Sequence, residues 1–365
     1  MVFENNYAGK KVLVTGHTGF KGSWLSIWLN FLGADVIGMS DKIPTNPSNY
    51  EVCKIENFVN DYRIDIKNED EVYEVIEKHS PDYIFNLAAQ PLVRESYLFP
   101  IETFFTNAIG SANILNSVRK INKKTICIMI TSDKVYRNLE LKRGYDENDL
   151  IGGKDPYSAS KGMAELAIYS FVESYFDNDS PIKVAVGRAG NVIGGGDWAK
   201  DRIVPDCVSA WSKNDQLKIR NPNSTRPWQH VLEPLSGYLQ LGAIMDSNAL
   251  LHGETFNFGP PDENDFSVGY LIKKMSNQWP KSRWINEENK ETNIKEAGLL
   301  KLNCNKAKEN IDWSPVMSFD ETVKMTIDWY KKFYLENKVD MYKYTTMQIN
   351  DYTNLAKSRK ISWAI

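Results

Sequence analysis

A tyrosine and a lysine lie four residues apart in the segment YSASK (157–161), which directly follows an Asp-Pro pair. Asp and Pro are favoured at the first positions of a helix, so Tyr157 and Lys161 are predicted to share one helix face. The lysine ammonium can then lower the pKa of the tyrosine from its usual value of about 10, so that a phenolate takes the proton of a hydroxyl whose carbon is oxidised. Ser132 follows an apolar stretch and is predicted to hydrogen-bond the same oxygen. The pattern indicates oxidation of an alcohol.

A glycine-rich loop, GHTGFKG, follows the first predicted strand and opens the first predicted helix. Its glycines permit a tight turn and a close approach of the backbone to a pyrophosphate, whose charge then lies at the helix N-terminus. In this context the motif predicts a dinucleotide site. Lys21 either helps to bind the pyrophosphate or, with His17, loosens the binding. The residues of the loop are Gly16, His17, Thr18, Gly19, Phe20, Lys21 and Gly22.

Further candidates for the cofactor site stand where neighbouring strands are predicted to end. Ser40 and Asp41 follow the second strand, about 20 residues after the glycine loop, where a carboxylate binds the adenine ribose hydroxyls and disfavours a 2′-phosphate. Asp41 therefore indicates NAD. Open α/β sheets bind ligands at the carboxyl ends of their strands. The other candidates at such ends are Asp65, Ile66, Ala88, Ala89 and Gln90.

Short apolar runs alternate with longer helical patterns up to about Gly187, which is typical of βαβ units around a buried parallel sheet. Gly22–Leu32 and Glu69–His79 are predicted helices. The fold class is therefore predicted as α/β, with a Rossmann-type doubly wound parallel sheet. The predicted strands are Lys11–Thr15, Asp35–Met39, Tyr62–Ile66, Tyr83–Leu87, Thr125–Thr131 and Lys183–Gly187.

The pattern changes after Gly187, where three consecutive glycines and several prolines predict loops and short elements. Gln229–Met245 is predicted as a helix, and Glu254–Phe258 as a strand that returns to the first domain. The last residues show no clear period. The predicted division is 1–187 plus about 229–259 for the cofactor domain, 188–228 plus about 260–338 for a smaller mixed α/β substrate domain, and 339–365 for a C-terminal extension.

The composition argues against several other functions. The 365 residues include 44 basic and 47 acidic ones, a net charge of -3, which predicts no surface for nucleic acid or an anionic membrane. No apolar run reaches the length of a membrane span, so a soluble protein is predicted. The four cysteines lie far apart and the four histidines show no ligand spacing, which predicts reduced thiols in a cytoplasmic protein and no metal site.

Longer strings carry a resemblance to a known family. With the glycine loop, Ser132 and YSASK, the chain resembles the extended short-chain dehydrogenase/reductase family, and in particular its CDP-glucose 4,6-dehydratases. The strings that carry the resemblance are GHTGFKGSWL (16–25), NLAAQPLVRESY (86–97), TSDKVY (131–136), GGKDPYSASKG (152–162), GRAGNVIGGGDWAKDRIVPD (187–206) and NPNSTRPWQHVLEPLSGYL (221–239).

The resemblance implies an NAD-dependent enzyme with a nucleotide-sugar substrate, CDP-glucose. It implies that Tyr157, Lys161 and Ser132 form the oxidation triad and that Asn107 supports the active-site helix. Guanidinium groups bind a diphosphate in a bidentate manner, and a nucleotide sugar supplies one. The implied substrate contacts are Asn191, Arg202 and Arg226, with Arg94 facing the glucose.

The pair Asp133-Lys134 directly follows Ser132. Elimination of water across C5 and C6 of a 4-keto sugar needs a base for the C5 proton and an acid for the departing C6 hydroxyl, so two ionisable groups beside the triad fit dehydration better than epimerisation. Lys134 is predicted as the base and Asp133 as the acid. Alternatively, Lys134 stabilises the enolate and a water takes the proton.

Three other functions stay open from the sequence alone: a 4-epimerase, a dehydratase of another nucleotide sugar, and a catalytically silent NAD-binding scaffold. Residue chemistry does not select the cytosine base. The resemblance further implies a homo-oligomer, at least a dimer, formed through the helices predicted at Thr103–Lys120 and Ser158–Phe176.

Overall fold

The computed structural model describes residues 2–177, 179–219, 221–261, 265–286 and 300–365. Parts of the predicted substrate domain, 262–264 and 287–299, lie outside the described residues. The strands are β1 (Lys11–Thr15), β2 (Asp35–Ser40), β3 (Val59–Arg63), β4 (Tyr83–Asn86), β5 (Thr125–Ile130), β6 (Ile182–Ala189), β7 (Val192–Ile193), β8 (Gln216–Ile219), β9 (Thr225–Pro227), β10 (Gln229–His230), β11 (Thr255–Phe258), β12 (Asp265–Ser267) and β13 (Arg283–Asn286).

Helices connect and cover these strands. Two helices were predicted to form an oligomer contact. The first of them, Thr103–Lys120, is not one continuous α-helix, because a π-helical turn at Phe105–Ile109 separates two α-helical segments. The α-helices are α1 (Phe20–Phe31), α2 (Asn49–Val52), α3 (Glu69–His79), α4 (Val93–Leu98), α5 (Pro100–Phe104), α6 (Gly110–Ile121), α7 (Pro156–Tyr175), α8 (Ile203–Ser212), α9 (Leu232–Met245), α10 (Val268–Ser276), α11 (Asn305–Ile311), α12 (Phe319–Leu335) and α13 (Met341–Ser358).

Within the described residues, seven strands form one parallel sheet in the order β11-β6-β5-β4-β1-β2-β3. Helices cover both faces, and an apolar cluster fills the space on each side. Strand β5, TICIMI, is buried along its whole length, as expected for a strand that packs against helices on both faces. The predicted doubly wound α/β fold is confirmed.

The third strand differs from its prediction. It covers Val59–Arg63, where Val59 pairs with Val36 of β2, and not Tyr62–Ile66. The alternation of apolar and polar residues continues past Arg63, so the pattern alone does not fix where pairing stops. The chain turns at Asp65, whose carboxylate accepts a hydrogen bond from the Lys67 backbone at 2.9 Å.

Short strands and helices form the other part of the molecule. Strand β7 pairs with β10 and β8 with β13 in parallel, while β9 pairs with β12 antiparallel. Helix α9 begins at Leu232 and not at Gln229, because Gln229 and His230 pair with β7. Strand β11 returns to the main sheet beside β6, close to its predicted position.

The C-terminal segment contains a long helix, α13, that the sequence did not predict. It packs against α1, where Tyr352 contacts the Trp28 ring edge-on at 5.8 Å. Its buried face mixes apolar residues with Thr345, Gln348 and Thr353. A buried face that is partly polar weakens the helical repeat of apolar residues in the sequence. This explains why α13 was not predicted.

In the part of the chain that the structure describes, no helix combines the length and the hydropathy of a membrane span. Across the same residues, no group of His, Cys, Asp or Glu side chains has the arrangement of a metal site.

Candidate active site

The glycine loop joins the end of β1 to the start of α1. Gly16 has a positive φ of 70°, and a Cβ there would lie 2.9 Å from the Ala88 backbone. A Cβ on Gly22 would lie 2.1 Å from the Gly16 carbonyl oxygen. Helix α1 starts after Gly19 without a side-chain cap. The tight loop and the uncapped helix N-terminus fit a pyrophosphate group, since its oxygens can accept from the first backbone N–H groups.

His17 of this loop turns away from the helix N-terminus. Its ring is buried over Gly38, with Nδ1 3.1 Å from the Ser40 hydroxyl and Nε2 2.9 Å from Asp61 Oδ1. Burial lowers the pKa of His17, and Asp61 opposes that change. We therefore infer that any contribution of His17 to a cofactor comes from its backbone. The Thr18 hydroxyl donates to the Lys42 carbonyl at 2.7 Å and fixes the loop to the end of β2.

The strand ends next to the loop offer further polar groups. The Asp41 side chain is half exposed; its Oδ1 accepts from the Lys42 backbone N–H at 2.8 Å, and its Oδ2 lies 3.6 Å from Lys42 Nζ. Asp65 pairs with Lys67 at 3.2 Å, and the buried Ile66 packs against the start of α6. These positions are compatible with an adenosine site.

Asn107 connects the end of β4 with the active-site helix. Its Oδ1 accepts from the Gln90 backbone N–H at 2.8 Å, and its Nδ2 donates to the Ser160 hydroxyl at 2.8 Å. Asn107 lies in the π-helical turn, a feature that is frequent at functional sites. Ala88 is held nearby, because its N–H donates to the Thr15 hydroxyl at 3.0 Å, and Ala89 lies between Ala88 and Gln90. The predicted supporting role of Asn107 thus has a geometric basis.

The predicted oxidation residues meet at the end of β5. Helix α7 begins as predicted, with Asp155 capping the Ser158 N–H at 2.9 Å. Ser132, Tyr157 and Lys161 are all buried. The nearby Ser132 hydroxyl lowers the pKa of Tyr157, but burial dominates and raises that pKa to about 12. The expected lowering of the tyrosine pKa is thus wrong for the protein alone, because desolvation penalises the phenolate more than neighbouring groups favour it.

The acid and base candidates lie beside these residues. Asp133 is buried and accepts from the Ser132 hydroxyl at 2.9 Å. Burial raises the pKa of Asp133, although Lys134 and Lys21 oppose the rise. Lys134 is partly buried, with its Nζ 5.9 Å from the centre of the Tyr157 ring. A carboxyl whose pKa is raised can carry a proton toward neutral pH, which suits a general acid.

Two residues join this cluster in ways that sequence reasoning missed. The Lys21 side chain extends from the glycine loop to the groups around Asp133. Burial lowers the pKa of Lys21 to about 7, and Asp133 opposes this change. Its Nζ lies 5.9 Å from the centre of the Tyr238 ring. Tyr238 of α9 is buried, and among the described residues its hydroxyl has no hydrogen-bond partner. No local motif identifies Tyr238, since only the packing of α9 under the sheet brings it here.

The predicted substrate contacts other than Arg94 come from the part of the chain after β6. Arg202 pairs with Asp197 at 2.9 Å, and its positive charge also acts on Tyr157, so it belongs to the site. Asn191 lies in the turn between β6 and β7. Arg226 lies on β9 and donates to the Thr225 carbonyl at 2.7 Å.

Arg94 has a partner other than the one expected. Its guanidinium donates to Asp201 Oδ1 at 2.8 Å, and both side chains are about half exposed. The structure thus places Arg94 in an ion pair that joins α4 to the loop before α8.

A family model described as GDP-mannose 4,6 dehydratase matches residues 13–326. The chain belongs to this family. It is 42% identical over 357 residues to the CDP-glucose 4,6-dehydratase of Salmonella typhimurium strain LT2, which covers 96% of this chain and 98% of that protein. It is 25% identical to the CDP-paratose 2-epimerase of Salmonella typhi, over 87% of this chain and 98% of that protein. The resemblance to dehydratases of the extended short-chain dehydrogenase/reductase family is confirmed, and the chain is an enzyme of that family.

Solved structures share the fold. The UDP-glucose 4-epimerase of Thermotoga maritima has a TM-score of 0.74 and 24% identity, over 89% of this chain and 100% of that chain. The dTDP-glucose 4,6-dehydratase of Bacillus anthracis has a TM-score of 0.73 and 21% identity, over 89% of this chain and 97% of that chain. These likenesses support the fold class.

Proposed function

We propose that this enzyme is a CDP-glucose 4,6-dehydratase that converts CDP-glucose to CDP-4-keto-6-deoxyglucose with NAD as a catalytic cofactor. The observation that carries the proposal is the meeting of two sets of proton-transfer groups in one cluster. Ser132, Tyr157 and Lys161 suit oxidation of an alcohol, and the adjacent Asp133 and Lys134 suit the elimination of water. An epimerase needs only the first set.

In the oxidation, the Tyr157 hydroxyl oxygen takes the proton of the C4 hydroxyl, and Ser132 donates a hydrogen bond to the same C4 oxygen. Because burial raises the pKa of Tyr157 to about 12, the phenolate needs additional positive charge to form near neutral pH. Lys161 and Arg202 are the neighbouring cations that supply it.

In the elimination, Lys134 as the neutral amine takes the C5 proton, which the C4 ketone acidifies, and Asp133 as the protonated acid gives its proton to the departing C6 oxygen, which leaves as water. The buried Asp133 is suited to hold that proton, since burial raises its pKa. The Ser132 hydroxyl bridges the two steps, because it contacts both Asp133 and Tyr157.

The glycine loop and the half-exposed carboxylate of Asp41 fit the pyrophosphate and the adenine ribose of NAD. When bound, NAD would supply hydride chemistry, taking up the two electrons of the C4 oxidation and returning them at C6, so that no net oxidation of the sugar results. The backbone N–H groups at the start of α1 would bind the cofactor, while Asn107 and Gln90 hold the end of β4 beside it.

The choice of CDP-glucose is supported by the 42% identity with the Salmonella typhimurium CDP-glucose 4,6-dehydratase over nearly the whole of both chains. The test is incubation of the purified enzyme with CDP-, UDP-, dTDP- and GDP-glucose, followed by mass spectrometry. We expect loss of one water from CDP-glucose. In heavy water the product should carry deuterium at C5, and deuterium placed at C4 of the substrate should appear at C6. Oxidised sugar without loss of water would contradict the proposal.

We also propose a homo-oligomer, at least a dimer. Large apolar side chains are exposed on two adjacent helical segments, Ile101 and Phe105 on one and Leu166 and Tyr169 on the other. Such a face suits a second copy of the chain, because a monomer would expose it to water. Light scattering at micromolar concentration should give at least the dimer mass, and Leu166→Glu should lower it. A monomeric wild-type mass would refute this arrangement.

We further propose that the enzyme works in the cytoplasm, in line with its free cysteines, three of which are buried. Its product would serve the synthesis of deoxysugars, such as those of lipopolysaccharide. Cell fractionation with antibody detection tests the location.

A further inference from the structure

A buried carboxylate, Glu165, lies one helical turn after Lys161 on α7 and is only 5% exposed. Both of its oxygens are bound. Oε1 accepts from the Thr131 hydroxyl at 2.6 Å and from Arg188 Nε at 2.8 Å, and Oε2 accepts from Arg188 Nη2. One side chain thus connects α7, the end of β5 and β6.

The residues that Glu165 binds are neighbours of the oxidation machinery in the chain. Thr131 directly precedes Ser132, and its backbone N–H donates to the Gly187 carbonyl of β6 at 3.0 Å. Arg188 directly follows Gly187 and is 3% exposed. Glu165 therefore fixes the strand end that carries Ser132 against the helix that carries Tyr157 and Lys161.

The Glu165–Arg188 ion pair is expected to fix geometry rather than to add much stability. A buried ion pair gains little stability over an apolar pair, because the desolvation of both charges offsets their attraction. A fully satisfied polar network instead fixes one geometry. Here Arg188 also donates to the Tyr136 hydroxyl at 2.7 Å, and Tyr136 donates to Asn257 at 2.8 Å. The guanidinium is thereby held in one orientation.

Charge gives Glu165 a second effect. Burial lowers the pKa of Lys161 to about 8, and Glu165 raises it. The other charged or titratable groups around this ammonium are Tyr157 on its own helix, Lys21 from α1 and Arg188 from β6 beyond the carboxylate. Arg188 is cationic, and Lys21 is cationic when protonated, so Glu165 provides the negative charge that favours protonated Lys161.

We propose that Glu165 is a positioning residue for the oxidation step. Through Thr131 and Arg188 it sets the placement of Ser132 relative to Tyr157, and its negative charge keeps Lys161 in the ammonium form. The inference rests on the proposed oxidation role of Ser132, Tyr157 and Lys161. It concerns a residue that touches neither the sugar nor the reacting atoms.

Two variants separate the two effects. Thr131→Val removes only the hydroxyl tie and keeps the Glu165–Arg188 pair, so kcat should fall about 10-fold with little change in its pH dependence. Glu165→Gln removes the charge as well, so kcat should fall about 100-fold, as for a misplaced reacting group. Its ascending pH limb should move to higher pH, because Lys161 then loses its proton at lower pH and supports the Tyr157 phenolate less. KM for the nucleotide sugar should change by less than about 3-fold in both variants, since neither residue is a binding group.

Glu165→Gln leaves a buried, unpaired Arg188 and can fail to fold, so the double variant Glu165→Gln/Arg188→Met removes both charges. We expect its thermal stability to approach that of wild type while kcat stays low. Glu173→Gln, on the exposed side of the same helix, is the matched control and should behave as wild type. Recovery of kcat together with stability in the double variant would show a purely structural role and overturn the proposal. So would a wild-type kcat in Thr131→Val, or a wild-type pH profile in Glu165→Gln.

A crystal structure of Thr131→Val provides a readout that does not depend on activity. We expect Ser132 Oγ to shift away from the Tyr157 hydroxyl. If wild-type enzyme dehydrates none of the four nucleotide sugars, the proposed function fails. An unshifted Ser132 in an active enzyme would instead count against the positioning role alone.

Discussion

Two regions around the candidate active site, named here the catalytic wall and the substrate wall, hold their charged groups differently. The catalytic wall, formed by the end of β5 and by α7, holds its charged groups buried and bound, as in the pair of Glu165 with Arg188. The substrate wall, formed by residues 191–202, by β9 and by Arg94 of α4, holds pairs of different exposure. Asp197, which pairs with Arg202, is buried, whereas Arg94 and Asp201 are both about half exposed. A buried network fixes geometry, whereas an exposed pair exchanges partners at little cost. The comparison indicates that the catalytic wall is preorganised for chemistry, while the Arg94–Asp201 pair of the substrate wall is able to exchange partners with a charged ligand.

The largest effect should follow from removal of the tyrosine hydroxyl in the catalytic wall. Tyr157→Phe should lower kcat by about 10³-fold, because the proposed acceptor of the C4 hydroxyl proton is lost. Thermal stability should change little, since the ring and its packing remain. Steady-state kinetics with calorimetry measures both. Tyr169→Phe, an exposed position on the same helix, is the control. Equal kcat values for the two variants would remove Tyr157 from the mechanism.

Lys134→Ala should affect the second half of the reaction alone. Oxidation at C4 should persist in a single turnover, while exchange of the C5 proton with solvent should fall about 10²-fold or more, since a general base is lost. Isotope exchange followed by NMR reads this directly. Exposed Lys142→Ala serves as the control. Exchange at the wild-type rate would show that a water or another group removes the proton.

Asp133→Asn should lower the dehydration activity and raise the free energy of unfolding. A buried carboxyl with a raised pKa binds its proton more readily in the folded than in the unfolded protein, so the folded state loses stability as pH rises from the usual carboxyl pKa through the folded one. The neutral amide avoids this loss. We expect a gain of about 1 kcal/mol in the free energy of unfolding near pH 8, which shrinks as the pH is lowered, with much reduced dehydration.

Urea unfolding between pH 5 and pH 8 tests this, with Asp215→Asn at an exposed site as the control. A gain in the free energy of unfolding that does not depend on pH would mean that burial does not raise the pKa of Asp133.

The smallest effects should appear in the substrate wall. Asp201→Asn breaks an exposed pair and should change the free energy of unfolding by less than about 0.5 kcal/mol. It should change KM for the nucleotide sugar by a few-fold through the freed Arg94, with kcat nearly unchanged. Asp246→Asn is the control. It breaks an exposed pair with Lys124 away from the candidate active site and should leave KM unaltered. A large loss of stability in Asp201→Asn would show that this exposed pair does not exchange partners at little cost, and would contradict the comparison of the two walls.

Much of the molecule could be predicted from its sequence because the signals are local. The glycine loop, the strand ends and the YSASK helix each depend on a few adjacent residues, and a helical repeat alone places Tyr157 and Lys161 on one face. The central strands are continuous apolar runs, which only a sheet buried on both faces accommodates. Where the signal was weak, as at β3 and α13, the prediction missed the boundary or the helix.

The tertiary structure decided what depends on contacts between distant segments. Glu165 meets Thr131 and Arg188 only after β5, β6 and α7 assemble, and Tyr238 reaches the site from α9. The protonation equilibria are decided in the same way. The spacing of Tyr157 and Lys161 predicted a lowered tyrosine pKa, but the packing that buries both residues raises it, because desolvation is a property of the whole surrounding volume and not of the sequence neighbours.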